Sequence, residues 1–329
     1  MKRKLTIIIA LFLILNCIGQ EINYFQRGTI KFNQNDFIGA IEDYSKAIEI
    51  KPSDTLFVKR GESKFQIKDF ESAIIDFTKA IEINPKNENA FIGRAHVKSF
   101  MKNSTEAIND YSEVIKINPN NPLAYIDRGY EKFLLFDLEN AINDFTKFIQ
   151  LEPKVEFGYS LRGLTKFNQK KFKEAILDYN KAIEINPNNP EYYCNRGMAK
   201  RFTKDLKGAI IDYSRSIDLD SINPILYYYR AIAKNYLYDR KGAIEDYSKA
   251  IQFDAKYKEA YFNRGLSKTM LKDYLGAIED YTKAIEIDPN YAQAYKQRGL
   301  AKAKSKTTND GFEDYKKAKE LNRLNSKVK

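Results

Sequence analysis

The segment from Tyr261 to Tyr281 contains three charged side chains whose types and spacing could do chemistry. Arg264 and Lys268 lie four residues apart, and Asp280 follows them on the C-terminal side. Two cations beside a carboxylate occur in anion-binding sites and in catalytic sets, where neighbouring charges tune one another. The same groups also form structural ion pairs. The helices or loops that position them therefore indicate whether they form a functional site or stabilise the fold.

The three charged residues recur along the chain at a fixed period. The arginine occurs in nine copies, spaced by 34 residues except for 33 between the first two: Arg27, Arg60, Arg94, Arg128, Arg162, Arg196, Arg230, Arg264 and Arg298. The lysine and the aspartate recur in phase with it, and the residue after the arginine is always glycine or alanine. A period of this size is typical of a solenoid, in which each unit buries its apolar face against its neighbours.

Each copy is predicted to form two antiparallel helices. In the copy quoted above, we expect a first helix over Ala260–Leu271, a turn at Lys272–Asp273 and a second helix over Tyr274–Ile287. The second helix carries small and apolar residues at three- and four-residue steps, and it ends near Pro289 because proline disfavours a helical residue before it. A lone helix pair buries too little surface to be stable, so we expect the pairs to stack.

The residues that recur in each copy follow one pattern, which in this copy consists of Tyr261, Gly265, Ala277, Tyr281, Ala284 and Pro289. This pattern resembles the tetratricopeptide repeat. The resemblance implies an all-α fold, a right-handed α-solenoid or superhelix of stacked helix-turn-helix repeats. Nine repeats are expected within residues 20–323, at about 21–53, 54–87, 88–121, 122–155, 156–189, 190–223, 224–257, 258–291 and 292–323, followed by a basic tail at 324–329.

The arginine and aspartate sets are predicted to be structural. A catalytic set has no need of nine copies, whereas a joint between stacked helices does. Arg264 and Asp280 lie at almost the same level across the predicted turn, so we expect the aspartate to bridge the arginine, either within one repeat or between repeats. The expected ladder comprises Arg128, Asp144, Arg162, Asp178, Arg196, Asp212, Arg230, Asp246, Arg264 and Asp280.

The composition gives no basis for catalysis by cysteine, histidine or a metal. The 329 residues include two cysteines, Cys17 and Cys194, and one histidine, His96, so neither a Cys/His metal cluster nor a Ser/His/Asp triad can be assembled. The glycines do not have the spacing of a phosphate-binding loop. We therefore expect no enzyme activity, no cofactor and no metal.

The N-terminus has the pattern of a secretory signal over residues 1–19. A basic start is followed by an apolar run at Ile7–Leu15, which is too short to span a bilayer, and Cys17 and Gly19 supply small residues for cleavage. This pattern predicts an exported bacterial protein that is periplasmic, secreted or associated with the outer membrane. The alternative is lipidation at Cys17, because the sequence ILNC resembles a bacterial lipobox.

The positive charge is concentrated at the C-terminal end. The formal net charge is +11, and the segment from Lys296 to Lys329 carries eleven lysines and arginines against four acidic residues. Such a tail could associate peripherally with an anionic membrane, as could a lipid on Cys17, although a solubilising role is the simpler interpretation. We expect no nucleic-acid partner, because the repeated cations are assigned to ion pairs.

The resemblance implies that ligands lie on the concave face, which the first helices line. The implied positions are three residues before the glycine or alanine, and one, four and five residues after it. They are mostly apolar: Phe25, Phe32, Val58, Phe65, Ile92, Ile126, Tyr130, Phe133, Leu164, Phe167, Met198, Phe202, Tyr228, Ile232, Tyr236, Phe262, Leu266 and Met270. Such residues form an adaptable binding groove or pack between neighbouring helices, and we expect both along this face.

The predicted function is a non-enzymatic scaffold that binds a peptide or protein segment on this face. The family's carboxylate clamp for chaperone C-termini needs lysine, asparagine and arginine, whereas this face offers Arg201 and the terminal Lys296 and Lys304, so a chaperone partner is not expected. The alternative is a membrane-tethered lipoprotein that acts as an adaptor in envelope complex assembly. The identity of the partner and any homo-oligomerisation stay open.

Overall fold

The structure, a computed structural model, describes residues 19–305 and 311–327, with side chains up to Leu324. The described residues form eighteen α-helices and no β-strand. Residues 1–18, which include Cys17 and nearly all of the predicted signal segment, lie outside the described residues. Most side chains of the predicted basic tail also lie outside them.

The helices follow one another in pairs. In chain order they are α1 (19–33), α2 (Phe37–Ile50), α3 (Asp54–Gln66), α4 (Phe70–Ile83), α5 (Glu88–Phe100), α6 (Ser104–Ile117), α7 (Pro122–Leu134), α8 (Leu138–Leu151), α9 (Glu156–Asn168), α10 (Phe172–Ile185), α11 (Pro190–Phe202), α12 (Leu206–Leu219), α13 (Pro224–Tyr236), α14 (Arg240–Phe253), α15 (Lys258–Met270), α16 (Tyr274–Ile287), α17 (Ala292–Ser305) and α18 (Gly311–Lys327). The prediction of an all-α fold of helix pairs is confirmed. No described helix is both long and apolar enough to cross a membrane.

A three-residue turn joins the two helices of each pair from α1/α2 to α15/α16. Its middle residue has a positive φ, which is 65° at Lys272 and 64° at Tyr238. This left-handed conformation ends the first helix and reverses the chain direction. Asp273 then caps α16, because its Oδ1 accepts a hydrogen bond from the Gly276 amide at 3.0 Å.

In the repeat formed by α15 and α16, the bounds of the second helix were predicted better than those of the first. The second helix, α16, has the predicted bounds Tyr274–Ile287. The first helix, α15, runs over Lys258–Met270 and so begins two residues before the predicted start. The reason is that the carbonyl of Tyr257 already accepts hydrogen bonds from the Ala260 and Tyr261 amides.

The interior of each of the first eight repeats combines small residues with one large aromatic ring. Ala277, Tyr281 and Ala284 of α16 are fully buried, and the Tyr281 ring packs over Gly265 of α15. A Cβ atom at Gly265 would lie 2.7 Å from Cε1 of Tyr281, which is closer than ordinary contact allows. The glycine therefore lets the two helices approach closely enough to bury the ring.

Contacts divide the chain into two compact units, Met1–Lys154 and Val155–Lys329. In the first unit, α2, α4 and α6 each pack against the first helix of the following pair. In the second unit, α10, α12, α14 and α16 do the same. The stacking predicted for an α-solenoid is therefore present within each unit, while the right-handed superhelix stays a prediction.

Candidate functional site

The repeated arginine and aspartate form a two-pronged ion pair inside each repeat. Arg264 Nη2 donates to Asp280 Oδ1 at 2.6 Å, and Arg264 Nε donates to Asp280 Oδ2 at 3.0 Å. Lys268 Nζ lies 2.9 Å from the same Oδ2 atom. The equivalent pairs are Arg27–Asp43, Arg60–Asp76, Arg94–Asp110, Arg128–Asp144, Arg162–Asp178, Arg196–Asp212, Arg230–Asp246 and Arg298–Asp314. The structure thus places each pair within one repeat.

The same arginines also reach back to the preceding repeat. Arg264 Nη1 donates to Ser248 Oγ at 2.9 Å, and its guanidinium carbon lies 5.6 Å from the centre of the Tyr261 ring. Corresponding acceptors in other repeats are Ser45, Thr78, Ser112, Asn180, Ser214 and Thr282. Sequence reasoning missed this contact, although a small polar residue directly after the buried tyrosine or phenylalanine of the first eight second helices was a usable signal.

In the first and last repeats, the ion pairs favour the charged form of Asp43 and of Asp314. A hydrogen bond from Arg27, with a weaker one from Lys31, lowers the pKa of Asp43 to about 2 despite the opposing effect of burial. At Asp314, burial raises the pKa, but the hydrogen bonds from Arg298 and Lys302 together outweigh it, so that the pKa is lowered. A carboxylate held in this way is a poor general acid or base, and the sets act as joints between helices.

The face predicted to bind ligands contains exposed, half-buried and buried positions. The exposed residues are Tyr130, Phe202, Tyr236 and Met270. The half-buried residues are Phe25, Phe32, Phe65, Ile92, Phe133, Leu164, Phe167, Met198, Tyr228, Ile232 and Leu266. Three of the four exposed residues lie five positions after the small residue, at the end of a first helix, which is the position most available to a ligand.

Val58, Ile126 and Phe262 belong to the core, which corrects their assignment to the binding face. All three side chains are buried. They lie three residues before the glycine or alanine, where the side chain meets the second helix of its own repeat. The Phe262 ring, for example, lies 5.8 Å from the Tyr281 ring and 5.1 Å from the Tyr291 ring. Packing with these rings leaves no surface for a ligand.

Phe100 and Leu134 are exposed apolar residues that sequence reasoning missed. Both lie five positions after the small residue of their repeat and therefore share the register of Met270. The Phe100 ring lies 5.0 Å from the Phe70 ring and 5.9 Å from the Phe65 ring. The first unit thus also presents apolar side chains at the ends of its first helices.

A cavity of about 490 Å³ lies in the second unit, among the first helices α11, α13 and α15 and the second helix α14. It brings together five of the predicted residues, which are Tyr228, Ile232, Tyr236, Leu266 and Met270. Its lining also contains five polar side chains, which are Arg201, Asn235, Arg240, Asn263 and Ser267. Sequence reasoning singled out only Arg201 among them. A concave apolar site with a few convergent polar groups is the usual form of a ligand site.

Hydrogen bonds fix the polar side chains of this cavity. Asn235 Nδ2 donates to Ser267 Oγ at 2.8 Å, which links α13 to α15. Arg240 Nη1 donates to Asn235 Oδ1 at 3.1 Å. Asn263 Nδ2 donates to the hydroxyl oxygen of Tyr228 at 3.0 Å. A lining that is held in this way loses little side-chain freedom when a ligand binds.

His96 and Cys194 do not form a reactive centre. His96 Nε2 lies 3.0 Å from Asp127 Oδ2, on the partly exposed surface of the first unit. Burial raises the pKa of the Cys194 thiol to about 12, so that the reactive thiolate is scarce at neutral pH. Within residues 19–305 and 311–324, no group of three or more histidine, cysteine, aspartate or glutamate side chains could hold a metal ion.

The first helices of the stacked pairs line one exposed face, which we call the first-helix face. This arrangement defines a repeat protein of the interaction-scaffold class, which is generally non-catalytic. Protein-family models support this directly. Models described as tetratricopeptide repeat match residues 23–54, 55–87, 89–121 and 190–223, and residues 259–291. A model described as TPR repeat matches residues 163–200. The chain belongs to the tetratricopeptide-repeat family.

Two solved structures of tetratricopeptide-repeat proteins share the fold, and a third solved protein is similar to part of this chain. A tetratricopeptide repeat protein from Parabacteroides merdae is 19% identical, covers 76% of this chain and 99% of its own, and has a TM-score of 0.55. YrrB, described as a TPR protein with an unusual peptide-binding site, is 22% identical. The match covers 56% of this chain and 95% of YrrB, with a TM-score of 0.50. MamA is 28% identical. The match covers 50% of this chain and 96% of MamA, with a TM-score of 0.48. A comparison with curated protein sequences gives no match.

Proposed function

We propose that this protein is an exported, non-enzymatic scaffold whose first-helix face binds a peptide or protein segment. The observation that carries the proposal is the cavity among α11, α13 and α15, together with the exposed apolar side chains at its rim. Tyr236 and Met270, which both line the cavity, are 62% and 59% exposed, so two large apolar side chains face solvent at its rim. Burial of these side chains by a ligand would remove them from water.

A segment of another protein suits the shape of this site. The cavity is open and lies along the first helices of three successive repeats, so an extended or helical segment can cross it. Tyrosine and methionine provide large contact area, and the asparagine amides supply hydrogen bonds to a backbone. The peptide-binding site named for YrrB is consistent with this proposal, although that likeness concerns the fold alone.

A selection from a random dodecapeptide library displayed on phage tests the binding face. Peptides selected on the wild-type protein are then titrated against a variant with Tyr236→Ser and Met270→Ser. A matched control carries Ile211→Ser and Leu275→Ser, two exposed apolar residues on second helices. We expect binding to fall at least tenfold in the first variant and to persist in the control. Equal affinities for the two variants would reject the proposed face.

Export is part of the proposal because residues 1–19 have the pattern of a signal segment, with Lys2, Arg3 and Lys4 before the apolar run Ile7–Leu15. Mass spectrometry of the mature N-terminus tests this. A chain that begins at Gln20 supports a released scaffold. A diacylated Cys17 supports the alternative function, a membrane-tethered adaptor, and an intact N-terminal segment contradicts both.

A further inference from the structure

Three successive repeats of the second unit carry polar side chains at a position where four of the nine repeats carry phenylalanine. Four residues after the small residue, α9 carries Phe167, whose ring packs 5.2 Å from the Phe172 ring. At the same position, α11, α13 and α15 carry Arg201, Asn235 and Thr269. Arg201 and Asn235 line the cavity, so polar side chains replace aromatic packing at the place where the cavity opens.

Arg201 and Arg240 bring two positive charges to the cavity without a carboxylate to balance them. The repeated arginines of this unit, such as Arg196 and Arg230, each form an ion pair with an aspartate. In the part of the chain that the structure describes, no ion pair includes Arg201 or Arg240, and no residue that lines the cavity is acidic. The wall therefore carries two positive charges that form no ion pair with a carboxylate, which favours an anionic ligand.

Arg201 also has hydrogen-bonding capacity that the described residues do not use. Its Nε atom and the nearby Tyr213 hydroxyl are buried and make no hydrogen bond of ordinary geometry among the described residues. The Arg201 side chain still acts on that hydroxyl, because it lowers the pKa of Tyr213 against the larger raising effect of burial. The guanidinium lies instead over the Phe202 ring, with its central carbon 4.5 Å from the ring centre. A buried donor without a well-aligned acceptor is destabilising, so an acceptor group on a ligand would stabilise this part of the cavity.

We propose that this cavity recognises an acidic side chain, aspartate or glutamate, within the bound segment of the partner. This inference rests on the proposed function and names the chemistry of its ligand. The carboxylate accepts hydrogen bonds from Arg201 and Arg240, and charge-assisted bonds of this kind are stronger than neutral ones. A neighbouring apolar side chain of the segment packs on Leu266 and Met270, at the apolar end of the same cavity.

The phage selection described above also tests this inference. We expect the selected dodecapeptides to share an aspartate or glutamate at one position. One such peptide is then synthesised with both ends capped, and so is its counterpart with the amide residue, asparagine or glutamine, in place of that acid. Wild-type protein should bind the acidic peptide about tenfold more tightly than the amide peptide, since a hydrogen bond to a charged group contributes more than one to a neutral group.

Two variants locate the effect. Arg201→Gln should reduce the preference for the acidic peptide to less than about threefold, because the charge is gone while hydrogen-bonding groups remain. Arg215→Gln removes the same charge from an exposed site on α12 that does not line the cavity, and it should leave the preference unchanged. The comparison of the two peptides on the wild-type protein needs no variant, so it holds even if Arg201→Gln unfolds the repeat.

Each result has a distinct meaning. Selected peptides without a shared acid, or equal affinities for the acidic and amide peptides, overturn the inference and leave the proposed function intact. Binding that requires a free C-terminal carboxylate and is lost on capping also overturns it. Failure to select any peptide on the wild-type protein overturns the proposed function and this inference together.

Discussion

Arg264 and Asp280 form a two-pronged ion pair across the turn between α15 and α16, with Nη2 2.6 Å from Oδ1 and Nε 3.0 Å from Oδ2. The Asp280 side chain is only 4% exposed, whereas that of Arg264 is 18% exposed. A carboxylate so deeply buried needs full compensation of its charge, which Arg264 and Lys268 supply together. The pair therefore fixes the position of α15 along the axis of α16.

Asp280→Ala should strongly destabilise the second unit. The substitution leaves Arg264 and Lys268 close together and without their shared carboxylate. Loss of one partner from a buried pair costs about 3–5 kcal/mol. Urea denaturation followed by circular dichroism measures the effect. Glu286→Ala, in the exposed Lys283–Glu286 pair of the same helix, serves as the control and should cost less than about 1 kcal/mol.

A double-mutant cycle with Arg264→Ala tests whether the pair is direct. Removal of both partners should cost less than the sum of the two single substitutions, because the second change no longer leaves an uncompensated charge. Strict additivity of the two free energies of unfolding would show that the two side chains stabilise the repeat independently.

Ser248→Ala tests the contact between neighbouring repeats. Ser248 Oγ accepts a hydrogen bond from Arg264 Nη1 at 2.9 Å, and its loss should lower the free energy of unfolding by about 1 kcal/mol. Ser221→Ala, which removes the hydroxyl of an exposed residue, should change it by less than about 0.5 kcal/mol. Equal effects of the two substitutions would mean that the contact does not couple the repeats.

Acid should weaken the pair at the start of the first unit. The hydrogen bond from Arg27 lowers the pKa of Asp43 from 3.8 to about 2 in the folded protein. A lowered pKa means that the contribution of this carboxylate to stability is present above about pH 4 and is lost as the pH falls towards 2. NMR titration of the Asp43 carboxyl carbon checks this. We expect a higher pKa in Arg27→Gln, and an unshifted pKa in the wild type would contradict the account.

The thiol of Cys194 should be inert in the folded protein. Burial raises its pKa to about 12, so that both access and thiolate are lacking at pH 8. In a Cys17→Ser chain, Ellman's reagent should detect no fast-reacting thiol before denaturation and one thiol after it. Immediate reaction of the native protein would show that the repeat around Cys194 opens readily.

Much of the repeat could be predicted because its signals are local. The bounds of α16 followed from the turn residues at Lys272–Asp273 and from Pro289. The position of Asp280 opposite Arg264 followed from helix geometry across a short turn, since both helices rise by the same distance per residue. These inferences need no knowledge of how neighbouring repeats stack.

The binding face was less predictable because it depends on tertiary packing. Phe262 and Met270 both belong to the implied face, yet Phe262 packs among aromatic rings of second helices and of the next repeat, while Met270 lies at an exposed helix end. The cavity requires side chains from three repeats, and Asn235 acquires its role only because Ser267 and Arg240 lie beside it. The polar residues Arg201 and Asn235, at a position where Phe167 stands one repeat earlier, were the sequence signal for this site.

Site-specific photo-cross-linking tests the central claim, that the first-helix face binds a segment of another protein. Benzoylphenylalanine is introduced in place of Met270, at the rim of the cavity, or in place of Leu275, which is equally exposed on α16. A selected peptide is added and the protein is irradiated. We expect a covalent adduct from position 270 and none from position 275. Adducts from position 275 and none from position 270 would contradict it.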